Sequence, residues 1–166
     1  MGTGKSSVGH LVAGILHFEF VDTDDLIEAR AGKRIVDLFA QEGEARFREL
    51  ERHIVAEISH FRKTVIATGG GLVVNPANMA SLKTHALVVC LWASPEIIWE
   101  RVRHQTHRPL LHGPEPLEKI RRLLAEREPF YREADVLLNT EMRSVKEVAH
   151  QAAHQFRAAW GPPALH

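Results

Sequence analysis

The chain has a single cysteine, Cys90, which excludes an internal disulfide bond and fits the reducing cytoplasm. Long hydrophobic runs are lacking as well. The most apolar stretch, residues 86–93, is far shorter than the about 20 residues that a membrane-spanning helix needs. Residues 1–20 do not have the charged and then apolar layout of a secretory signal. We therefore expect a cytoplasmic protein that does not cross a membrane.

Charge of one sign is not in excess, because 21 Lys and Arg residues balance 21 Asp and Glu residues. No overall field favours nucleic acid or an anionic membrane, so we expect neither as a partner. Any bound anion has to be held by a local cluster of positive groups. The 166 residues, 45% of them hydrophobic, are enough for one globular domain and too few for two full ones, so we expect one domain over 1–166.

Apolar periodicity alternates between helical and strand patterns along the chain. Val8, Leu11, Val12 and Ile15 form one stripe of a helix over residues 5–16. Short apolar runs predict strands at residues 18–21, 64–67, 87–92 and 136–138. Helices are predicted at 25–31, 35–39, 44–60 and 144–159. Another helix begins at Pro95, a polar loop follows at 105–116, and a further helix after the loop ends at about residue 127. This alternation indicates an α/β fold whose parallel sheet has helices on both faces.

A glycine-rich segment, residues 2–7, runs directly into the first predicted helix. Its glycines let backbone N–H groups turn around a phosphate, and the helix adds the positive end of its dipole. In such a loop Lys5 reaches the β- and γ-phosphates and the Ser6 hydroxyl binds Mg²⁺. A flexible start capped by a serine is the alternative. The full pattern G-x-x-x-x-G-K-S places its first glycine before residue 1.

Two further segments follow predicted strands, where ligands bind in open α/β sheets. Asp22 and Asp24 come after the first predicted strand, and one carboxylate there can serve Mg²⁺ while another accepts a proton from an attacking hydroxyl. A solvated strand end, or an aspartate that caps the next helix, is the other interpretation. Residues 69–71 are three glycines, whose backbone N–H groups permit close approach by a ligand.

Arg48, Arg108 and Arg132 are candidates for binding carboxylate or phosphate, because a guanidinium forms paired hydrogen bonds with these groups. Each arginine taken alone is equally compatible with a surface charge. The eleven histidines do not predict a metal site, although His150 and His154 can share a helix face, because no carboxylate or cysteine cluster joins them.

In the order in which they occur, these segments resemble the shikimate kinase family over nearly the whole chain. The matching segments are residues 2–7, 22–24, 43–49, 69–71, 108–111 and 127–132. The resemblance implies that the γ-phosphoryl group of ATP is transferred to the 3-hydroxyl of shikimate, a step of aromatic amino acid biosynthesis. ATP, Mg²⁺ and shikimate are then the expected ligands, and a monomer is the expected state.

The resemblance also implies a role for each candidate residue. The implied catalytic residues are Lys5, Asp24 as proton acceptor, and Arg108, which would close over the phosphates. The implied nucleotide-binding residues are Gly2, Thr3, Gly4, Lys5, Ser6, Ser7, Arg108 and Arg143, with adenine near residues 101–103 and 140–143. The implied shikimate-binding residues are Asp24, Arg48, Gly69, Gly70, Gly71 and Arg132. Ser6 and Asp22 are the implied magnesium ligands, Asp22 largely through water.

The family has a three-layer P-loop kinase fold whose parallel sheet has the strand order 2-3-1-4-5. By resemblance the four predicted strands are strands 2, 3, 4 and 5, and the central strand 1 is missing from the sequence. We expect that a start codon assigned too late accounts for this difference. The family also has a mobile lid, which corresponds to about residues 105–116.

Three other functions remain open from the sequence. Another small-molecule P-loop kinase, for gluconate or a nucleoside monophosphate, would share the phosphate loop, but Arg48, Arg132 and the triple glycine favour a small carboxylated polyol. A non-catalytic ligand sensor would not need to keep Lys5, Ser6, Asp22 and Asp24 together. A truncated, inactive kinase is the third.

Overall fold

The structure is a computed structural model that describes residues 2–104 and 115–161. Its helices are α1 Lys5–Leu16, α2 Thr23–Ala31, α3 Ile35–Ile58, α4 Pro76–Lys83, α5 Pro95–Val102, α6 Pro116–Tyr131 and α7 Val145–Trp160. The strands are β1 Glu19–Asp22, β2 Thr64–Ala67, β3 Val89–Trp92 and β4 Val136–Asn139, and Leu72–Val74 forms a 3₁₀ turn. Almost all of the predicted lid lies outside the described residues.

The α/β class predicted from the sequence is confirmed, with two differences in the helices. α3 is recorded as one helix, yet Gly43 within it has φ 78° and ψ 176°, so the chain breaks between the two helices predicted there. α4 and the 3₁₀ turn before it were not predicted. Asn75 caps α4 by accepting a hydrogen bond from the Ala77 N–H, and Pro76 occupies the first turn. That Asn-Pro pair was an available signal for a helix start.

The four strands form two separate parallel pairs. β1 pairs with β2, with Asp22 opposite Ala67. β3 pairs with β4, with Trp92 opposite Asn139. Because paired strands run in the same direction, the residues that follow β1 and β2 emerge side by side at one edge. This register brings the aspartate pair and the triple glycine next to each other.

A groove of about 950 Å³ lies between the two pairs. Val65 of β2 and Val89 of β3 line its two sides, and Val8 and Val12 of α1 with Phe156 of α7 line it as well. Among the described residues no hydrogen bond joins β2 to β3. The resemblance places the family's central strand between its strands 3 and 4, which correspond to β2 and β3 of this structure. The groove lies between these two strands.

Among the described residues three apolar clusters hold the elements around this interrupted sheet, and the smallest joins α5 to α6. One of the two larger clusters joins α1 to α7 and β4 and includes Val12, Leu138 and Ala149. The other joins α2, α3, α4 and the 3₁₀ turn and includes Ile27 and Ile54. Among residues 2–104 and 115–161, none of the helices has the length and apolar content that a bilayer span requires.

The groove leads to a stability prediction. An added short apolar strand, with a glycine two residues before Met1, should pair with β2 and β3 and raise the temperature of cooperative unfolding. The physical reason is that the strand would supply hydrogen-bond partners to the facing edges of β2 and β3, at about 0.5–1.5 kcal/mol for each bond, and would cover apolar side chains such as Val65 and Val89. Thermal unfolding followed by circular dichroism measures the effect.

The control is an extension of equal length with proline at its centre, because proline cannot donate to the ladder. If the 166-residue chain unfolds as cooperatively and at the same temperature as the extended one, a strand in this groove is not needed for stability.

Candidate active site

The phosphate loop precedes α1 and has two residues in the left-handed region. Gly2 has φ 68° and Gly4 has φ 87°, conformations that residues with a Cβ rarely adopt. The Gly4 carbonyl accepts the first hydrogen bond of α1, from the Val8 N–H at 2.9 Å. The N–H groups of the first helical turn therefore lie where the glycine-rich chain turns, which is the geometry of an anion site.

Ser6 and Asp22 are brought together by the packing of α1 against β1. The Ser6 hydroxyl donates to Asp22 Oδ2 at 2.9 Å, and Asp22 Oδ1 accepts from the Asp24 N–H at 3.0 Å. Asp22 thus caps α2, which was one of the two interpretations of this residue, and it also contacts Ser6. A hydroxyl and a carboxylate oxygen are ligands that suit Mg²⁺, which usually keeps several waters and substrate phosphates as its other ligands.

The pKa of Asp24 is strongly affected by its surroundings. Burial of its carboxyl group and repulsion from Asp22 raise its pKa to about 6, although Lys5 opposes the shift. A Cβ added at Gly69 would lie 2.8 Å from Asp24 Oδ1, so the glycine leaves the space that this carboxylate occupies. Asp24 therefore lies between the phosphate loop and the triple glycine, as a carboxylate that protonates near pH 6.

Arg48 lies against Gly71, where an added Cβ would come within 2.8 Å of Arg48 Nη1. The guanidinium donates to Glu51 Oε2 at 2.6 Å and to Glu44 Oε1 at 2.9 Å. Glu51 is 2% exposed, and burial raises its pKa although Arg48 opposes the shift. Glu51 was not predicted from the sequence, although it is three residues after Arg48 and thus on the same helix face.

Two backbone contacts of the triple glycine were also missed. The Gly69 N–H donates to Thr23 Oγ1 at 3.1 Å, and the Tyr131 hydroxyl donates to the Gly70 carbonyl at 2.8 Å. Thr23 is fully buried. The threonine between the two aspartates was the sequence signal for the first contact, whereas no local pattern points to the second.

Arg132, Arg143 and Arg101 contact partners other than the aspartate pair and the triple glycine. Arg132 donates to Glu128 at 2.6 Å, and its side chain is 70% exposed. Arg143, on the loop after β4, donates to the Asn139 carbonyl and to Gln151 of α7. In the region expected to receive adenine, Arg101 donates to the Thr140 carbonyl at 2.8 Å. Arg108 lies outside the described residues.

Comparison with known proteins identifies the family of this chain. The family model described as shikimate kinase matches residues 1–157. A shikimate kinase of Caldanaerobacter subterraneus subsp. tengcongensis is 43% identical over 94% of this chain and 91% of its own. One from Thermodesulfovibrio yellowstonii is 44% identical over 94% of this chain and 90% of its own.

Solved structures give the same result. A shikimate kinase from Acinetobacter baumannii in complex with shikimate matches with a TM-score of 0.90 at 34% identity, over 96% of this chain and 90% of that one. A gluconokinase from Sinorhizobium meliloti matches with a TM-score of 0.61 at 18% identity, which shows a shared fold alone. The fold, the aspartate pair beside the phosphate loop and these matches show that the chain belongs to the shikimate kinase family of ATP-dependent kinases.

Proposed function

We propose that the protein transfers the γ-phosphoryl group of ATP to the 3-hydroxyl of shikimate at the edge formed by residues 2–7, 22–24 and 69–71. Family membership supports the reaction. The position of Asp24 is the observation that carries the assignment of the site. Its carboxylate lies beside Gly69 on one side and is influenced by Lys5 of the phosphate loop on the other.

At the nucleotide end, residues 2–7 and the first turn of α1 would hold the phosphates of ATP. Lys5 supplies a positive charge for the transferring group, as this position does in other phosphate loops. Ser6 and Asp22 would hold Mg²⁺. When bound, the metal neutralises negative charge on the β- and γ-phosphates.

At the acceptor end, the 3-hydroxyl oxygen forms a bond to the γ-phosphorus while the bond from that phosphorus to the bridging oxygen breaks. The hydroxyl proton passes to Asp24. A pKa of about 6 leaves this carboxylate ionised at neutral pH and more basic than an ordinary aspartate. The buried position that raises the pKa therefore also suits the group to its role.

The carboxylate of shikimate would be bound by Arg48 and by backbone N–H groups of Gly70 and Gly71. Arg48 already lies against Gly71, and Glu51 and Glu44 hold its guanidinium. Arg132 would join this group by leaving Glu128, an exposed partner that costs little to exchange for a substrate carboxylate. Arg108 and Arg143 would contact the nucleotide.

The setting of this reaction is part of the proposal. We place the protein in the cytoplasm as a monomer that acts on small molecules, without a nucleic-acid or membrane partner. The balance of 21 basic and 21 acidic residues supports the absence of a nucleic-acid or anionic-membrane partner, since it gives no overall attraction to polyanions. A sensor that only binds ligand would not need the grouping of Ser6, Asp22 and Asp24.

Asp24→Asn should lower kcat by about two to four orders of magnitude, because the variant cannot accept the proton. The affinity for ATP should barely change. In the unmodified protein kcat/KM for shikimate should fall about tenfold per pH unit below pH 6, because Asp24 becomes protonated there. Coupled measurement of ADP release between pH 5 and 9 tests both statements. Near-normal turnover of the variant would exclude Asp24 as the base.

Gly69→Ala tests the position of Asp24 without changing its charge. The added Cβ would lie 2.8 Å from Asp24 Oδ1, so the carboxylate has to move. A displacement of about 1 Å in a reacting group can cost about 100-fold, and we expect a loss of that order in kcat. Steady-state kinetics at saturating ATP measures it.

Gly14→Ala is the matched control, since its Cβ would meet nothing within 4 Å. It should stabilise α1 by about 0.5–1 kcal/mol and leave kcat unchanged. Equal kcat in both variants would mean that Asp24 does not need the space at Gly69.

Arg48→Ala should raise the KM for shikimate and leave that for ATP nearly unchanged, because a charged hydrogen bond contributes roughly 1.5–3 kcal/mol. Arg132→Ala should do the same. Since Arg48→Ala leaves Glu51 buried without its partner, the kinetics are repeated with Glu51→Gln added. Arg30→Ala, which removes a surface ion pair with Glu57, is the control. An equal rise in the KM values for shikimate and ATP would mean that the arginines bind phosphate or contribute to folding.

A further inference from the structure

The triple glycine connects β2 to the 3₁₀ turn, and its peptide groups differ in their hydrogen bonds. The carbonyls of Gly69 and Gly71 accept from the N–H groups of Leu72 and Val74. Gly69 N–H and Gly70 C=O bond to side chains of Thr23 and Tyr131. Within residues 2–104 and 115–161, the N–H groups of Gly70 and Gly71 make no hydrogen bond. These two donors are therefore available to an anionic ligand.

The two side-chain contacts anchor the loop to different helices. Thr23 is the first residue of α2, and its side chain contacts the Gly69 N–H, 46 positions away in the sequence. Tyr131 is the last residue of α6, and its side chain contacts the Gly70 carbonyl, 61 positions away. Glycines lose more conformational freedom on folding than other residues, so a loop of three needs external contacts to hold one conformation. These bonds fix the peptide groups on either side of the free Gly70 N–H.

Thr23 also lies between the two aspartates of the site. Its backbone belongs to the turn in which Asp22 accepts from the Asp24 N–H. Its side chain is fully buried and reaches Gly69, the glycine that lies against Asp24. A single residue thus connects the backbone that positions the proton acceptor to the backbone that carries the free N–H groups.

We propose that Thr23 and Tyr131 are positioning residues for shikimate, a role that rests on the proposed function. They touch neither substrate nor metal. They hold the Gly70 and Gly71 N–H groups where the substrate carboxylate binds, and Thr23 keeps this loop at a set separation from Asp24. The distance between these N–H groups and Asp24 then selects for a ring whose carboxylate and reactive hydroxyl are the same distance apart.

The first test is Thr23→Val, which keeps the shape of the side chain and removes the acceptor for the Gly69 N–H. The KM for shikimate should rise about 5- to 100-fold, the range expected for a buried donor left without a partner. The KM for ATP should stay within about twofold, because the phosphate loop does not depend on this bond. Thr23→Ser should restore most of the affinity for shikimate.

Thr64→Val is the matched control, since the Thr64 hydroxyl donates to the Arg62 carbonyl at the far end of β2. Its kinetic constants should equal those of the unmodified protein. A purely structural role for Thr23 would instead lower the unfolding temperature without separating the two KM values.

The second test uses Tyr131, the one tyrosine in the sequence. Tyr131→Phe should also raise the KM for shikimate selectively, and the double variant with Thr23→Val should be less than additive because both bonds hold one loop. Replacing the tyrosine by 3-fluorotyrosine gives one ¹⁹F resonance. Shikimate, and separately Thr23→Val, should shift that resonance.

The outcomes separate this proposal from the one on which it rests. Without shikimate-dependent ATP turnover in the unmodified protein, both proposals fail. Turnover with unchanged KM for shikimate in Thr23→Val and Tyr131→Phe overturns the positioning role alone. Faster amide hydrogen exchange at residues 68–72 in Thr23→Val, together with the selective rise in KM, supports it.

Discussion

The carboxylate of Asp22 is the contact on which the arrangement of the site depends. One oxygen accepts from the Asp24 N–H and so starts α2, while the other accepts from the Ser6 hydroxyl at the start of α1. Three elements, α1, β1 and α2, are tied at one point by these bonds. The parallel register of Asp22 with Ala67 then brings Gly69 to the same edge. Residues 2–7, Asp24 and residues 69–71 are thereby neighbours.

Two carboxyl groups are buried around this point at a cost in stability. The pKa values of Asp24 and Glu51 are both raised, chiefly by burial, which means that the ionised forms are destabilised where they lie. Arg48 partly offsets the cost for Glu51 through a 2.6 Å hydrogen bond. The surface ion pairs elsewhere, such as that of Arg121 with Glu96, are exposed and contribute little.

The interrupted sheet places the site beside a groove. Lys5 lines that groove together with Val65 and Val89, so the phosphate loop and the open edges of β2 and β3 share one space. Apolar side chains of α1 and α7 form much of the wall, and a strand there would face them directly. The orientation of the phosphate loop and the stability of the centre of the sheet therefore both depend on how this groove is packed.

The sequence alone was sufficient for the α/β class, the four strands, most helices and the grouping of Ser6, Asp22, Asp24 and residues 69–71, because these follow from local periodicity and from strand ends. Tertiary structure decided the rest. Thr23 and Tyr131 meet glycines 46 and 61 positions away. Local sequence patterns do not predict contacts between residues so far apart in the sequence, since hydrogen bonds between remote segments form only when the helices pack.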